Sequence, residues 1–159
     1  MLLLSFHIGT EQYAVAAKQI IEILPLTRIQ SLPKTPDYIV GLLDFRGQLV
    51  PIIDLCQLTE GRPYNKVLST RILLVKYKGN DLQEHPLGLI AEKVTETITI
   101  QAEKFTANGI KLKATPYLGQ VTSNNGRMLQ YIEINELLPA EVQAILYQDD
   151  NRSQHVSNE

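Results

Sequence analysis

Residues 35–58, TPDYIVGLLDFRGQLVPIIDLCQL, read as a β-hairpin with a charged tip. Residues 41–45 form one apolar strand, Arg46-Gly47 the turn, and 48–55 the return strand. Gly47 suits a backbone that must reach φ > 0, where a side chain would clash. Along the return strand Leu49, Pro51, Ile53 and Leu55 point one way, and Val50, Ile52 and Asp54 the other. Two apolar faces predict burial on both sides. The hairpin therefore belongs inside the body, with Arg46 as the charge that reaches the surface.

The same plan recurs at 117–137, YLGQVTSNNGRMLQYIEINEL. Gly126 takes the place of Gly47. Met128, Leu129, Ile132, Glu133, Ile134 and Leu137 fall opposite Leu49, Val50, Ile53, Asp54, Leu55 and Leu58. A weaker echo sets Tyr13-Ala14-Val15 and Ile20-Ile21-Glu22-Ile23 against Leu87-Gly88-Leu89 and Val94-Thr95-Glu96-Thr97. Two structural repeats follow, each opening with a hairpin and closing on a strand, an acid and a short Leu-rich turn. Many short strands, small turns and one terminal helix indicate closed antiparallel architecture. Two repeats predict two small barrels, each too small alone for a generous core, with an apolar seam between them.

The chain of 159 residues fits one domain or two small subdomains sharing a core. Its net charge of −2 comes with no basic stripe, which argues against phosphate-directed nucleic-acid binding. Cys56 is the one cysteine, so no internal disulfide forms, in keeping with a reducing compartment. The opening MLLLSFHIG lacks a basic lead and a long apolar run. It reads as a first strand, not a signal peptide or membrane span. Residues 17–23 suit either a helical turn or a continuing strand, and 37–40 a helical turn. Strands are expected at 70–77, 87–91 and 94–100. A helical turn and loop are expected over 101–115, around Lys104, Asn108-Gly109, Lys111 and Lys113. A helix is expected over 137–148, with Leu138, Val142, Ile145 and Leu146 on its apolar face.

Candidate chemistry is sparse. His7, His85 and His155 are scattered, without ligand spacing or a cysteine cluster, so no metal site is expected. Cys56 reads as a small packed hydrophobe rather than a nucleophile. The glycines sit singly at turns, so there is no phosphate loop. Asp54 and Glu133 occupy equivalent positions. Paired carboxylates can do acid–base work, but capping of the turn that follows is the better reading. Arg46 either solvates its turn or binds a partner. Glu22 is a solvated charge or a rim charge that selects partners. Ile20 is core or the apolar centre of an interface.

VGLLDFRGQLVPIIDL resembles the signature of the CheW-like chemotaxis coupling proteins, roughly G-V-x-N-L-R-G-x-V-V-P-V-I-D-L. SFHIGTEQYAVAAKQIIEI, TPDYIVG, LGLIAEKV and GRMLQYIEINELL resemble further segments of that family, so the similarity covers about 1–147. The resemblance implies an all-β fold with one C-terminal helix. Its two SH3-like five-stranded barrels pack around a shared hydrophobic core. They fall in one domain over 1–147, with subdomains near 1–69 and 70–147, exchange of strands left open, and a flexible tail at 148–159. It also implies a non-enzymatic, cofactor-free adaptor. Such adaptors bind the regulatory domain of a CheA-type histidine kinase and the cytoplasmic tip of a methyl-accepting chemotaxis receptor. Ile20, Glu22 and Ile23 match the kinase-binding segment; Gly41, Arg46 and Gly47 match the receptor-coupling hairpin. Three features depart from the family. Asp44-Phe45 replace Asn-Leu, which lets Asp44 pair locally with Arg46. Glu92 replaces an Asp. The connector 101–116 is short.

The expected protein is thus a cytoplasmic two-component signalling adaptor, associated with membrane receptor arrays but not inserted in the membrane. The rival adaptor reading serves a chemotaxis-like pathway for pili or surface sensing, or competes with the main coupling protein. An enzymatic β-barrel would need a deep pocket lined by Asp54, Glu133 or a histidine. A ligand-binding barrel would need an empty interior.

Overall fold

The computed structural model describes residues 1–106 and 114–147. The expectations for Asn108-Gly109, Lys111, Lys113, His155 and the tail lie outside them. The first hairpin pairs β1 (Leu2–Ile8) with β2 (Glu11–Ala16). A single 3-10 turn, Ala17–Gln19, then leads into β3 (Ile20–Pro25), so 17–23 combines the two options the sequence allows. The central hairpin is β4 (Ile39–Phe45) and β5 (Gln48–Asp54), followed by the short helix α1 (Leu55–Glu60). After it come β6 (Arg71–Lys78), β7 (Glu84–Thr99), β8 (Leu118–Asn124), β9 (Arg127–Ile132) and α2 (Ala140–Leu146).

Nine strands among the described residues make two five-stranded barrels, because β7 serves both. One barrel runs β3-β6-β7-β5-β4 and the other β7-β1-β2-β9-β8. The first half of β7 pairs with β6, up to Arg71↔Ala91; the second half pairs with β1, from Ser5↔Glu96 to Leu2↔Thr99. The corner between them is a bulge, where the register with β1 shifts and Lys93 takes φ 44°. That bulge explains why the strands expected at 87–91 and 94–100 are one 16-residue strand. The chain turns the corner without leaving the ladder.

The repeats interlock through equivalent parallel pairs. β5 sets Ile52 against Gly88 of β7, and β9 sets Tyr131 against Ala14 of β2. In the repeat alignment these are the same contact. Each barrel therefore draws strands from both halves of the chain. The two hairpin tips also match: Arg46-Gly47 (φ 52° and 85°) and Asn125-Gly126 (φ 53° and 79°) both place two central residues at positive φ. That is the type I′ geometry whose twist suits a two-residue hairpin.

Three apolar clusters fill the body. Leu43, Val50, Ile52, Ile72, Leu74 and Ile90 fill the first barrel. Leu3, Ala14, Ile100, Phe105 and Leu129 fill part of the second. The largest cluster is the seam, with Leu4, Phe6, Ile8, Val15, Ile53, Leu73, Val75, Tyr77, Leu87 and Leu89. The two faces of β5 divide as its alternation requires. Val50 and Ile52 enter the barrel, and Ile53 faces the seam. Leu49, beside the tip, is 64% exposed because the sheet ends there.

Local differences have local causes. Residues 37 and 38 make a turn, and the strand starts at Ile39 instead of a helical turn running to 40. The C-terminal helix is shorter than expected, since Leu137 and Leu138 are buried ahead of it and Ile145 is half exposed. Asp54 caps α1 as expected: Oδ1 accepts the Cys56 N–H at 2.9 Å and Oδ2 the Tyr64 N–H at 2.9 Å. Glu133 makes no capping bond to the 3-10 turn Ile134–Glu136, where the longer glutamate side chain is the poorer cap.

A buried carboxylate fastens the connector after α1 onto the junction of the barrels. Glu92, 5% exposed, accepts from Arg62 Nη1 at 3.3 Å and Nη2 at 3.1 Å, and from the Asn65 N–H at 2.7 Å. The Gly9 N–H approaches it at 3.4 Å. Burial alone raises a carboxyl pKa. Here the paired guanidinium and the N–H donors outweigh it and hold Glu92 down at about 2.

Candidate interaction surface

Among the described residues β3 lies at one end of the strand order and pairs only with β6, so none of them covers its other edge. Its burial alternates. Ile20, Glu22 and Leu24 turn half inward, while Ile21, Ile23 and Pro25 face out. Ile21 is 45% exposed and Ile23 43%. A register shift between Ile20 and Glu22 bulges the strand. Such a bulge twists an edge and tempers indiscriminate strand pairing. Ile20 packs partly against the seam, so it has one foot in the core.

Glu22 does not stand alone. Its Oε2 lies 3.4 Å from Nη2 of Arg46, which reaches over from the tip of the central hairpin. The Arg46 guanidinium also sits 4.8 Å from the centroid of the Phe45 ring. The expected Asp44–Arg46 pair does not form. Asp44 Oδ1 instead accepts the Gly47 N–H at 2.9 Å and locks the turn. The guanidinium is thereby left for Glu22. Both side chains are open to water, 76% for Arg46 and 37% for Glu22, so the pair adds ~0–1 kcal/mol and is easily exchanged for a partner's charges.

Of the six residues singled out in the sequence, Ile20, Glu22, Ile23, Arg46 and Gly47 thus share one region. Gly41 is set apart. It is buried at φ 151°, and a Cβ there would lie 1.9 Å from the carbonyl oxygen of Gln30. That close approach lets Gln30 and Leu42 exchange backbone hydrogen bonds of 2.9 and 2.8 Å, which lash residues 26–36 to β4.

The residues weighed for catalysis are held apart or occupied. Cys56 is fully buried, and burial, with Glu92 and Asp54 nearby, pushes its thiol up to about 12. Asp54 is engaged by two backbone donors, and burial raises its pKa. His85 Nε2 lies 2.7 Å from Asp81 and its ring stacks on Tyr147 at 4.3 Å. Among the described residues no group of three or more His, Cys, Asp or Glu is placed to hold a metal. Sequence reasoning missed Phe45 under Arg46 and the Arg62–Glu92 anchor. The lone acid after an apolar strand was the signal for the second.

The family model described as "CheW-like domain" matches residues 2–142. The chain belongs to the CheW-like domain family. It is 26% identical over 147 residues to the chemotaxis protein CheW of Klebsiella aerogenes, covering 90% of this chain and 84% of that one. It is 24% identical over 138 residues to CheW of Bacillus subtilis, covering 86% and 85%. The crystal structure of the scaffolding protein TtCheW from Thermoanaerobacter tengcongensis superposes with a TM-score of 0.76 at 22% identity, over 87% of this chain and 88% of that one. That likeness agrees with the paired SH3-like barrels of the CheW-like fold. Among the described residues no helix is long and apolar enough to cross a membrane.

Proposed function

We propose that the protein is a non-enzymatic, cytoplasmic adaptor that joins a chemotaxis receptor to a CheA-type histidine kinase. The free edge of β3 carries this reading. It offers two exposed isoleucines beside a charge pair whose members come from the two segments that resemble kinase-binding and receptor-coupling sequences. Ile20, Glu22 and Ile23 meet the kinase's regulatory domain. Arg46 and Gly47 meet the receptor tip, and Gly41 acts from beneath by fixing the hairpin. An open, largely apolar cleft lined by Met1, Leu2, Ala16, Ala17 and Lys18 lies just before β3 and suits a helical receptor tip. Neither contact need be tight, because joining two modest interfaces in one assembly raises their effective concentration.

Glu22→Lys should weaken binding of a CheA-type regulatory domain by about tenfold in calorimetric titration, the scale of a lost interfacial charge. Unchanged affinity would remove Glu22 from the contact. Arg46→Ala should impair receptor coupling while shifting Tm by less than about 4 °C, since the exposed pair contributes ~1 kcal/mol at most. A collapse of the fold would instead make Arg46 architectural.

A further inference from the structure

The two barrels are filled differently. The buried residues of the first barrel's cluster are all aliphatic. In the second, the face of β1 that starts at Leu3 continues through Ser5 to His7, so the filling turns polar toward the Gly9 turn. An open cleft of about 850 Å³ lies at that end, where β1, β2, β7 and β9 meet. His7, Thr10, Ser69, Thr95, Lys93 and Arg127 line it, with Met128 as its exposed apolar surface and Glu11 as its one carboxylate.

Three observations mark this cleft as unfinished. His7 Nδ1 is buried and has no hydrogen-bond partner among the described residues, a rare state for a buried polar atom. Neither Lys93 nor Arg127 has an ion-pair partner among the described residues, although both are exposed on the cleft wall. Met128 is 58% exposed, and a methionine is an adaptable apolar contact. A small-molecule site would enclose most of its ligand. This cleft is open, and it pairs two cations with an apolar floor.

We propose that the cleft docks an acidic amphipathic helix of a partner protein. Carboxylates on that helix pair with Lys93 and Arg127, and its apolar side rests on Met128. The surface lies where the second barrel meets the junction at Lys93 and shares no residue with the β3 edge, so it stands independently of the proposed kinase and receptor contacts.

The test is an amide-resonance titration of the whole chain with a synthetic helix of about four turns, glutamate along one side and leucine along the other. Shifts are expected to gather at Thr10, Ser69, Lys93, Thr95, Arg127 and Met128. The double variant K93E/R127E should bind the same peptide about tenfold more weakly, and Glu22→Lys should bind it as the wild type does. Absence of shifts, shifts centred on β3, or binding indifferent to K93E/R127E would overturn the proposal. So would inorganic phosphate producing the same shifts alone, since that would make the cleft a simple anion site.

Discussion

Replacing Gly41 by alanine is expected to cost about 3–4 kcal/mol, which for a chain of this size lowers Tm by about 10 °C. The methyl group has nowhere to go. Its position lies 1.9 Å from the Gln30 oxygen and 2.7 Å from the Gln30 carbonyl carbon, and both are backbone atoms. Making room means parting the Gln30–Leu42 bridge, and with it the strap of 26–36 over the free side of β4. The φ of 151° adds strain that a side chain would feel even in open space. Gly47→Ala is the control. No atom lies within 4 Å of its added Cβ. Its cost is the left-handed penalty of about 1–2 kcal/mol. Thermal melts followed by circular dichroism separate the two. Equal melting of both variants would mean that the strap is not held by this contact. A lower Tm for Gly41→Ala than for Gly47→Ala would support a role for Gly41 in shaping the hairpin, without contact to a partner.

The second large effect is acid lability centred on Glu92. Its carboxyl is held down at about 2 in the folded protein, against the ordinary 4.5 of a glutamate side chain. A depressed carboxyl contributes stability above its unfolded pKa and loses it as pH falls toward the folded one. The window is therefore about pH 4.5 down to about 2. With the side chain 7% exposed, the contribution is about 2–3 kcal/mol at neutral pH. Glu92→Gln should lower stability near pH 7 by that amount and flatten the acid dependence across the window, as read by urea titrations at several pH values. A variant that keeps the wild-type acid slope would place the responsible carboxylate elsewhere. What is lost on protonation is the hold on Arg62 and Asn65, so the connector after α1 should loosen first.

The hairpin of β4 and β5 was legible because its signals are local: alternation along β5, a glycine at the tip, an acid before the next turn. The repeat was legible because the second hairpin carries the same sequence of signals. Which strand lies beside which was not. Ile52 meets Gly88 and Ala14 meets Tyr131 through parallel pairing between distant segments, and no local pattern encodes a partner. The bulge at Lys93 was hidden for a related reason, since a lysine at positive φ leaves no mark in composition. Glu22 and Arg46 each stand out in the sequence, but in separate segments. Only the register of β3 on β6 and the reach of the hairpin tip bring their charges within 3.4 Å. In the sequence Asp44 reads as a partner for Arg46, yet its carboxylate accepts the N–H of Gly47.

The most direct test of the adaptor account is a three-component co-sedimentation of this chain, a CheA-type regulatory domain and a chemoreceptor cytoplasmic tip fragment. The account predicts that kinase domain and receptor fragment sediment together only when the chain is present, and that Glu22→Lys releases the kinase domain while the receptor fragment stays bound. Kinase domain and receptor fragment that sediment together equally well without the chain, or a chain that binds neither, would contradict it.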